Sequence, residues 1–277
     1  MSDLLHLMLA PFVAAMILVA MLAYLGVHVI AREVIFVDLS LAQMAALGST
    51  SALLFGVAPD SATGYVFALG FTTLGAFIFA MTRTKREHQR VPHEAIIGVV
   101  YVVASAAAIL VADKAPRGAE TIKDVLVGSI LWVSWPAIVK LLIVYIAIGV
   151  FHFLFQRRFL TISLREQEAE LLGWRIRWWD FLFYVSFGVA ITLAVPIAGV
   201  LLVFTFLVVP AVIAFLFTRR TGLLITVSWG ISAFASAVGL VLSFKFDLPT
   251  GPLVVCVFGA CLLLGGLVRR AVPARAA

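Results

Sequence analysis

Charged residues are scarce in this chain of 277 residues, because Asp, Glu, Lys and Arg together make up 12% of it while hydrophobic residues make up 64%. Soluble domains contain about 25% charged and about 45–50% apolar residues. This composition excludes a soluble catalytic domain and predicts an all-α, polytopic membrane protein. The apolar runs are joined by connections too short to fold separately, so we expect residues 1–277 to form a single transmembrane domain.

Several chemical signatures are also missing. The chain has no Gly-x-x-x-x-Gly-Lys-Ser/Thr phosphate loop, so ATP binding and hydrolysis are not expected of it. No Ser/Lys pair, paired aspartates or His-Glu-x-x-His motif lies within the apolar runs, which argues against an intramembrane enzyme. The two cysteines, Cys256 and Cys261, would point to different faces of one helix. We therefore expect no catalytic residue, no cofactor bound by this chain and no firmly assigned metal ligand.

The net charge of +6 has a simple explanation as a topology signal. Most of the 20 lysines and arginines fall into connections on one side of the predicted membrane, whereas Lys114, Arg117, Lys123 and Lys245 fall on the other. Cytosolic loops of membrane proteins carry such an excess of basic residues. The net charge therefore does not require nucleic-acid binding as its explanation. The predicted cytosolic residues are Arg32, Arg83, Lys85, Arg86, Arg90, Arg157, Arg158, Arg165, Arg175, Arg177, Arg219, Arg220, Arg269, Arg270 and Arg275.

About nine spans satisfy this charge bias and place the N-terminus outside. Residues 121–135 form a shorter apolar stretch, which favours a re-entrant or packed half-helix. Met1–Ala10 lacks a basic region and a cleavage site, so we expect the first span to be retained. Pro196 is expected at an outer turn, and Pro210 is expected to bend its helix as a gate or a packing device. The predicted spans are 9–31, 35–57, 62–82, 94–112, 136–156, 179–197, 199–218, 222–243 and 252–268.

A charged segment at residues 157–179 interrupts the apolar runs and is predicted to contain a short amphipathic helix in the cytosol. Its arginines and glutamates cannot enter hydrocarbon cheaply, while Leu171 and Leu172 can anchor in a groove of a soluble partner. Ala169 and Gly173 lie four residues apart and predict a notch of small residues on this helix. The segment therefore indicates a contact with a soluble protein.

Polar residues follow one stripe of the second predicted span. They recur at the three-and-four spacing of a helix, which predicts that the stripe faces a translocation path or a neighbouring helix. Asp38 lies nearer the cytosolic end, where it could guard the exit or pair with Arg32. The stripe comprises Ser40, Gln43, Leu47, Thr50 and Ser51.

Other titratable residues have structural explanations. His28 and His152 are expected at the membrane interface, near cytosolic ends of helices. Glu94 and Asp180 each begin a span, where a carboxylate suits the positive end of the helix dipole. For Glu94, a part in gating or in contact with a cytosolic partner is the alternative.

Four segments, with a weaker fifth match at residues 126–131, resemble the membrane permease of the bacterial zinc/manganese-type ABC importer family. Together they span most of the chain in the family's order. They are Phe36-Val37-Asp38-Leu39-Ser40-Leu41-Ala42-Gln43 with Gly48; His93-Glu94-Ala95-Ile96-Ile97-Gly98; Gly199-Val200-Leu201-Leu202 with Leu207-Val208-Val209-Pro210-Ala211; and Asp247-Leu248-Pro249-Thr250-Gly251-Pro252.

The resemblance implies a homodimeric permease in the bacterial inner membrane that moves a divalent metal ion of the zinc, manganese or iron class. It implies a partner ATPase subunit that uses ATP and a periplasmic or lipid-anchored binding protein. The translocation path would include Asp38, Ser40, Gln43 and Thr50. The coupling helix that contacts the ATPase would include Glu168, Ala169 and Gly173, with Glu94 and Pro210 in gating or cytosolic contact.

One departure from the family pattern concerns the cargo. Relatives carry a Ser-His-Ala-Val-Leu-Pro-Gly run before the glycine, and here Gln43 stands where the histidine is expected. An imidazole nitrogen is a good ligand for zinc and similar metals, and an amide oxygen is a poor one. Import of a chelated metal or a small organic solute therefore remains an alternative, followed by a stand-alone channel.

Overall fold

The structure is a computed structural model, and it describes residues 2–58, 61–83, 91–114, 128 and 130–271. Every regular element in these ranges is helical, as the composition predicts. A single 3₁₀ turn, Ile130–Trp132, precedes the fifth helix. The α-helices are α1 (Ser2–Ala31), α2 (Val37–Leu53), α3 (Ala62–Thr82), α4 (His93–Lys114), α5 (Trp135–Leu154), α6 (Gln156–Leu164), α7 (Glu166–Leu171), α8 (Ile176–Phe217), α9 (Thr221–Phe246) and α10 (Thr250–Ala271).

Local sequence signals explain where several helices begin. The Ser61 side chain accepts a hydrogen bond from the Gly64 N–H at 3.1 Å and caps α3. Ser134 does the same for α5, whose second residue is Pro136. A serine cap satisfies a backbone donor at the helix start, and a proline in the first turn loses no hydrogen bond. The bounds of α3 coincide with the predicted span 62–82, and those of α5 lie close to 136–156.

Helix α8 forms the centre of the bundle. It packs against α1, α2, α3, α9 and α10. Large aromatic side chains from its first half, including Phe183, Tyr184 and Phe187, are fully buried. In a membrane, burial of this kind gains mainly from close packing between helices. The contacts of α8 therefore define the core around which the other helices are arranged.

Among the described residues, seven helices are long and apolar enough to cross a membrane: α1, α3, α4, α5, α8, α9 and α10. The predicted count of about nine is not confirmed. Helix α2 has 17 residues, shorter than the predicted span 35–57. Helix α8 has 42 residues and covers both predicted spans 179–197 and 199–218. Of the predicted re-entrant segment 121–135, residues 121–127 and 129 lie outside the described residues.

Gly199 is the residue that interrupts α8. Its φ of 78° and ψ of 156° are non-helical, and no other residue within α8 has non-helical dihedrals. This region of φ/ψ space is open almost solely to glycine. The prediction that Pro196 forms the outer turn is therefore wrong, because Pro196 lies inside the helix three residues before the break. Pro210 is buried within the second half of α8, and its carbonyl lies 3.4 Å from the Ser228 hydroxyl, which donates to it.

Candidate functional site

Two carboxylates, the buried Asp38 and the half-buried Glu94, lie at the start of α2. Asp38 is in the first turn of α2 and is 1% exposed. Glu94 is in the first turn of α4, and its Oε1 accepts a hydrogen bond from the Phe36 N–H at 2.9 Å. The two side chains are near enough for their charges to interact. Glu94 thus caps α2, the neighbouring helix, in addition to standing at the start of its own.

Each of these carboxylates has one oxygen without a partner. Asp38 Oδ1 and Glu94 Oε2 are buried and have no hydrogen bond to any of the described residues. A buried polar atom left unpaired costs about 1–3 kcal/mol, so such atoms are rare unless a ligand or water meets them. The arrangement therefore leaves two negatively polarised oxygens available inside the helix bundle.

The predicted polar stripe of α2 divides between two environments. Ser40 is buried and donates to the Ile97 carbonyl of α4 at 3.1 Å. Thr50 is also buried and donates to the Ala46 carbonyl of its own helix at 2.9 Å. Gln43, Leu47 and Ser51 are half-buried. The open face of α2 therefore carries Gln43, while Ser40 and Thr50 are engaged in packing.

Asp38 does not pair with Arg32, which was one of the two predicted outcomes. The Arg32 guanidinium instead binds Asp180 Oδ1 at 2.6 Å and donates from Nε to the Ser163 hydroxyl at 2.7 Å. Asp180 is fully buried at the start of α8, so it is more than a dipole-compensating residue. Arg32 is committed to α8 and α6, which leaves Asp38 without a cationic partner among the described residues.

A second arginine completes a charge network around Asp180. Arg83 follows the last residue of α3 and binds Asp180 Oδ2 through Nη1. Its Nη2 lies 2.8 Å from Glu166 Oε1 in the first turn of α7. Burial lowers the pKa of Arg83, but the charges of Asp180 and Glu166 outweigh burial and hold this pKa above its usual value. We call Arg32, Arg83, Glu166 and Asp180 the Asp180 network.

Helix α7 lies where the coupling helix is predicted, but the predicted notch of Ala169 and Gly173 is not present on its surface. Ala169 is 0% exposed, so it does not form an exposed notch with Gly173. Gly173 has a φ of 67° and ends the helix: its N–H donates to the Glu170 carbonyl, and the Trp174 N–H donates to the Ala169 carbonyl. This is the Schellman pattern of a helix C-terminus. The exposed anchors are Leu171, 90% exposed, and Leu172, while Glu168 pairs locally with Arg165 at 2.9 Å.

The comparison with known families decides the class of this protein. The model of the ABC 3 transport family matches residues 5–269. The chain belongs to the ABC 3 transport family. The resemblance to metal-type ABC permeases is thereby confirmed, and the chain is a multi-pass bacterial membrane protein.

Several curated relatives of this ABC 3 chain have names that describe metal transport. A probable metal transport system membrane protein of Chlamydia muridarum is 28% identical over 188 residues, which cover 66% of this chain and 62% of the relative. The chelated iron transport system membrane protein YfeC of Yersinia pestis is 26% identical over 72% of this chain and 68% of YfeC. The manganese transport system membrane protein MntC of Listeria innocua is 25% identical over 74% of this chain and 73% of MntC. The match therefore spans about three-fifths to three-quarters of these relatives.

Two solved structures share the fold. PsaBC from Streptococcus pneumoniae, in complex with Fab, aligns over 94% of this chain and 91% of its own chain, with a TM-score of 0.77 and 20% identity. An inward-facing conformation of a putative metal-chelate type ABC transporter aligns over 95% of this chain and 85% of its own, with a TM-score of 0.68 and 21% identity. At these identities the likeness establishes the fold of the ABC 3 chain.

Two histidines of this ABC 3 chain, His28 and His152, are buried between helices. His28 is 1% exposed, with Nδ1 2.8 Å from the Ser163 hydroxyl. His152 is 2% exposed, with Nε2 2.8 Å from the Ser186 hydroxyl and Nδ1 3.2 Å from the Tyr24 hydroxyl. Both histidines lie in the last turn of their helices, as predicted, and their interfacial depth stays a prediction. Serine and tyrosine hydroxyls bind three of the four imidazole nitrogens, and His28 Nε2 has no hydrogen bond to the described residues. No group of three or more His, Cys, Asp or Glu suited to a metal ion occurs among the described residues.

Proposed function

We propose that this chain is the permease subunit of an ATP-binding-cassette importer that moves a divalent metal ion across the bacterial cytoplasmic membrane. The observation that carries the proposal is the pair of carboxylates at the start of α2, Asp38 and Glu94, each with one buried oxygen that has no hydrogen bond to the described residues. Carboxylate oxygens are suitable ligands for Mn²⁺ and related cations. Membership of the ABC 3 family, with relatives named for manganese and iron transport, supports the same function.

In this proposal the ion passes along α2 as cargo and is held only briefly. Two carboxylates and one amide are fewer ligands than a tight site needs, and a transport path requires weak binding so that the ion can leave. Asp38 and Gln43 contact the ion, and Glu94 orders the start of α2 and contributes its free oxygen. Ser40 holds α2 against α4, and Thr50, bonded within α2, lines the same stripe. Capture and selectivity then reside largely in a separate substrate-binding protein outside the membrane.

The proposal includes about nine crossings. Helix α8 would be about 63 Å long at 1.5 Å per residue if straight, about twice the hydrocarbon thickness of a bilayer. Its interruption at Gly199 supports two crossing arms, and α2 supports a further crossing although it has only 17 residues. Gln43, Leu47 and Ser51 are half-buried in the single chain, which supports a homodimer in which this face of α2 meets the second copy.

Energy would come from a partner ATPase that binds ATP, and this chain would bind no cofactor and catalyse no reaction of its own. Helix α7 would enter a groove of the ATPase through Leu171 and Leu172, with Glu168 beside them. Ala169 would anchor α7 inside the permease, and Gly173 would end the helix. Pro210, buried at the contact of α8 with Ser228, would allow the second arm of α8 to adjust when access alternates.

Ion uptake in cells tests the transport function. Cells would express the chain together with its ATPase and binding protein, and accumulation of Mn²⁺, Zn²⁺ and Fe²⁺ would be measured with a hydrolysis-dead ATPase as the control. We expect accumulation of at least one ion that depends on ATP hydrolysis. Uptake confined to a chelated metal would favour the cargo suggested by Gln43 and by the chelate-type relatives. Uptake that ignores the ATPase would indicate a channel and contradict the proposal.

The ATPase contact can be tested at Leu171. Replacing Gly173 would be a poor test, because its φ of 67° strains any side chain. We expect Leu171→Glu to leave membrane insertion unchanged and to lose co-purification with the ATPase, since a charge would enter an apolar groove. Leu171→Met keeps an apolar anchor and should retain the complex. Equal retention by both variants would contradict the assignment of α7.

A further inference from the structure

The Asp180 network connects the proposed ATPase contact with the membrane helices through charged side chains. Its four members come from four separate places: the residue after α1, the residue after α3, the first turn of α7 and the start of α8. Helix α7 itself packs mainly against α6. The ion pair between Glu166 and Arg83 is therefore a direct side-chain link from α7 to the end of α3.

The segment α6–α7 has a second polar link to the same aspartate. The Ser163 hydroxyl, on the last turn of α6, accepts from Arg32 Nε at 2.7 Å, and Arg32 Nη1 binds Asp180 at 2.6 Å. On the other side, Glu166 is bound to Arg83, which binds the second oxygen of Asp180. Both links from the segment thus end on the two oxygens of one carboxylate at the start of α8.

The space around these links is open enough for movement. A cavity of about 620 Å³ lies between the end of α1, Arg83 and the α6–α7 segment. Arg32, Arg83, Ser163 and Glu166 all line it. On this side of α7 the connection therefore depends on the Glu166–Arg83 ion pair and the Ser163–Arg32 hydrogen bond.

We propose that the Asp180 network is the mechanical link that converts movement of α7 into movement of α1, α3 and α8, with Glu166 and Arg83 as positioning residues for coupling. Arginine–carboxylate pairs suit this role because they have a directional geometry, and the fully buried Arg32–Asp180 pair cannot be exchanged cheaply for water. The inference rests on the proposed importer function. It assigns the efficiency of coupling to side chains that touch neither the ion nor ATP.

The sharpest variant is Arg83→Gln. Asp180→Asn would leave the buried Arg32 side chain without a counter-charge and Arg83 with Glu166 alone, and its loss of activity could reflect misfolding alone. In Arg83→Gln, Arg32 still neutralises Asp180, and the link to Glu166 is lost. Arg219→Gln is the matched control, because Arg219 is an exposed arginine at the cytosolic end of α8 and outside the network.

The experiment uses the complete complex with its ATPase and binding protein in proteoliposomes, with Mn²⁺ as the probe, or the ion identified by the uptake experiment. ATP hydrolysis and ion uptake are measured together. We expect Arg83→Gln and Glu166→Gln each to lower ions transported per ATP by about fivefold or more, the lower end of coupling between distant sites. The complex should remain assembled and continue to hydrolyse ATP. The double variant should be no worse than either single variant, because both remove the same link.

Two results would overturn the inference. One is an unchanged ratio of ions to ATP in Arg83→Gln and Glu166→Gln, equal to the ratio in Arg219→Gln. The other is a proportional fall in uptake and hydrolysis, which would reduce the network to a structural role. Failure of the importer function itself is distinguishable, because the wild-type complex would then show no ATP-dependent uptake.

Discussion

Asp180 and the Asp38–Glu94 pair are carboxylates of the same bundle with opposite surroundings. Both oxygens of Asp180 bind arginines, whereas Asp38 and Glu94 each keep one buried oxygen without a partner among the described residues. A buried carboxylate is tolerated when cations neutralise it, and an unpartnered one is costly unless a ligand meets it. The difference suggests that Asp180 holds helices together and that Asp38 and Glu94 await a cation in transit.

The largest expected effect is on folding, at Asp180. Asp180→Asn removes the counter-charge of the buried Arg32 guanidinium and one of the two carboxylates bound by Arg83, so we expect a loss of about 3–5 kcal/mol in stability. Thermal unfolding in detergent, with the yield of monodisperse protein, measures this loss. Asp113→Asn is the control, because Asp113 is exposed and its ion pair among the described residues is with the neighbouring exposed Lys114. Equal stability of the two variants would remove the structural role of Asp180.

The next effect concerns transport, at Asp38. Asp38→Asn keeps the size of the side chain and removes its charge, so we expect Mn²⁺ uptake to fall about tenfold, equivalent to roughly 1.4 kcal/mol in the barrier. Stability should change little, because Oδ1 has no hydrogen bond to lose. Asp247→Asn is a suitable control, since Asp247 has the left-handed φ of 52° that asparagine also accepts. Strong destabilisation by Asp38→Asn would contradict this comparison, because Asp38 would then have a structural role like that of Asp180.

The smallest effect is a change in ion preference, at Gln43. Gln43→His adds an imidazole nitrogen to the half-buried face of α2, and nitrogen ligands favour Zn²⁺ over Mn²⁺. We expect the ratio of Zn²⁺ to Mn²⁺ uptake to rise by about two- to fivefold, less than a full ligand contribution because the path binds ions weakly. Gln43→Met, of similar length but without the nitrogen, should not shift the ratio towards zinc. An identical ratio in both variants would place Gln43 away from the ion.

The apolar runs of the sequence were sufficient to predict the helices that are not interrupted. The spans at α3 and α5 follow directly from apolar runs with a serine cap before them. The long α8 did not follow, because hydropathy cannot distinguish a turn from an interrupted helix when apolar residues continue through both. Pro196 is the residue from which the sequence predicts a turn, whereas the break in α8 depends on the positive φ of Gly199.

The sequence predicted one part of the candidate site and missed another. Asp38, Gln43 and Glu94 stand out because polar residues are rare in such a chain, and the structure places Asp38 and Glu94 together. The Asp180 network was missed, although an aspartate after two tryptophans at the edge of an apolar run signals a need for a partner. The identity of that partner could not be read from the chain, since Arg32 and Arg83 lie 148 and 97 residues away from Asp180.

By itself, the sequence determined the membrane class, the helical content and the presence of a charged segment with a short helix between the apolar runs, because each depends on composition or on neighbours within a few residues. Only the tertiary structure decided which carboxylate is neutralised and which is left free. It also turned Ala169 inward and buried the two histidines. These outcomes depend on groups that packing brings together from distant parts of the chain, and the free energy of a buried charge is set by those neighbours.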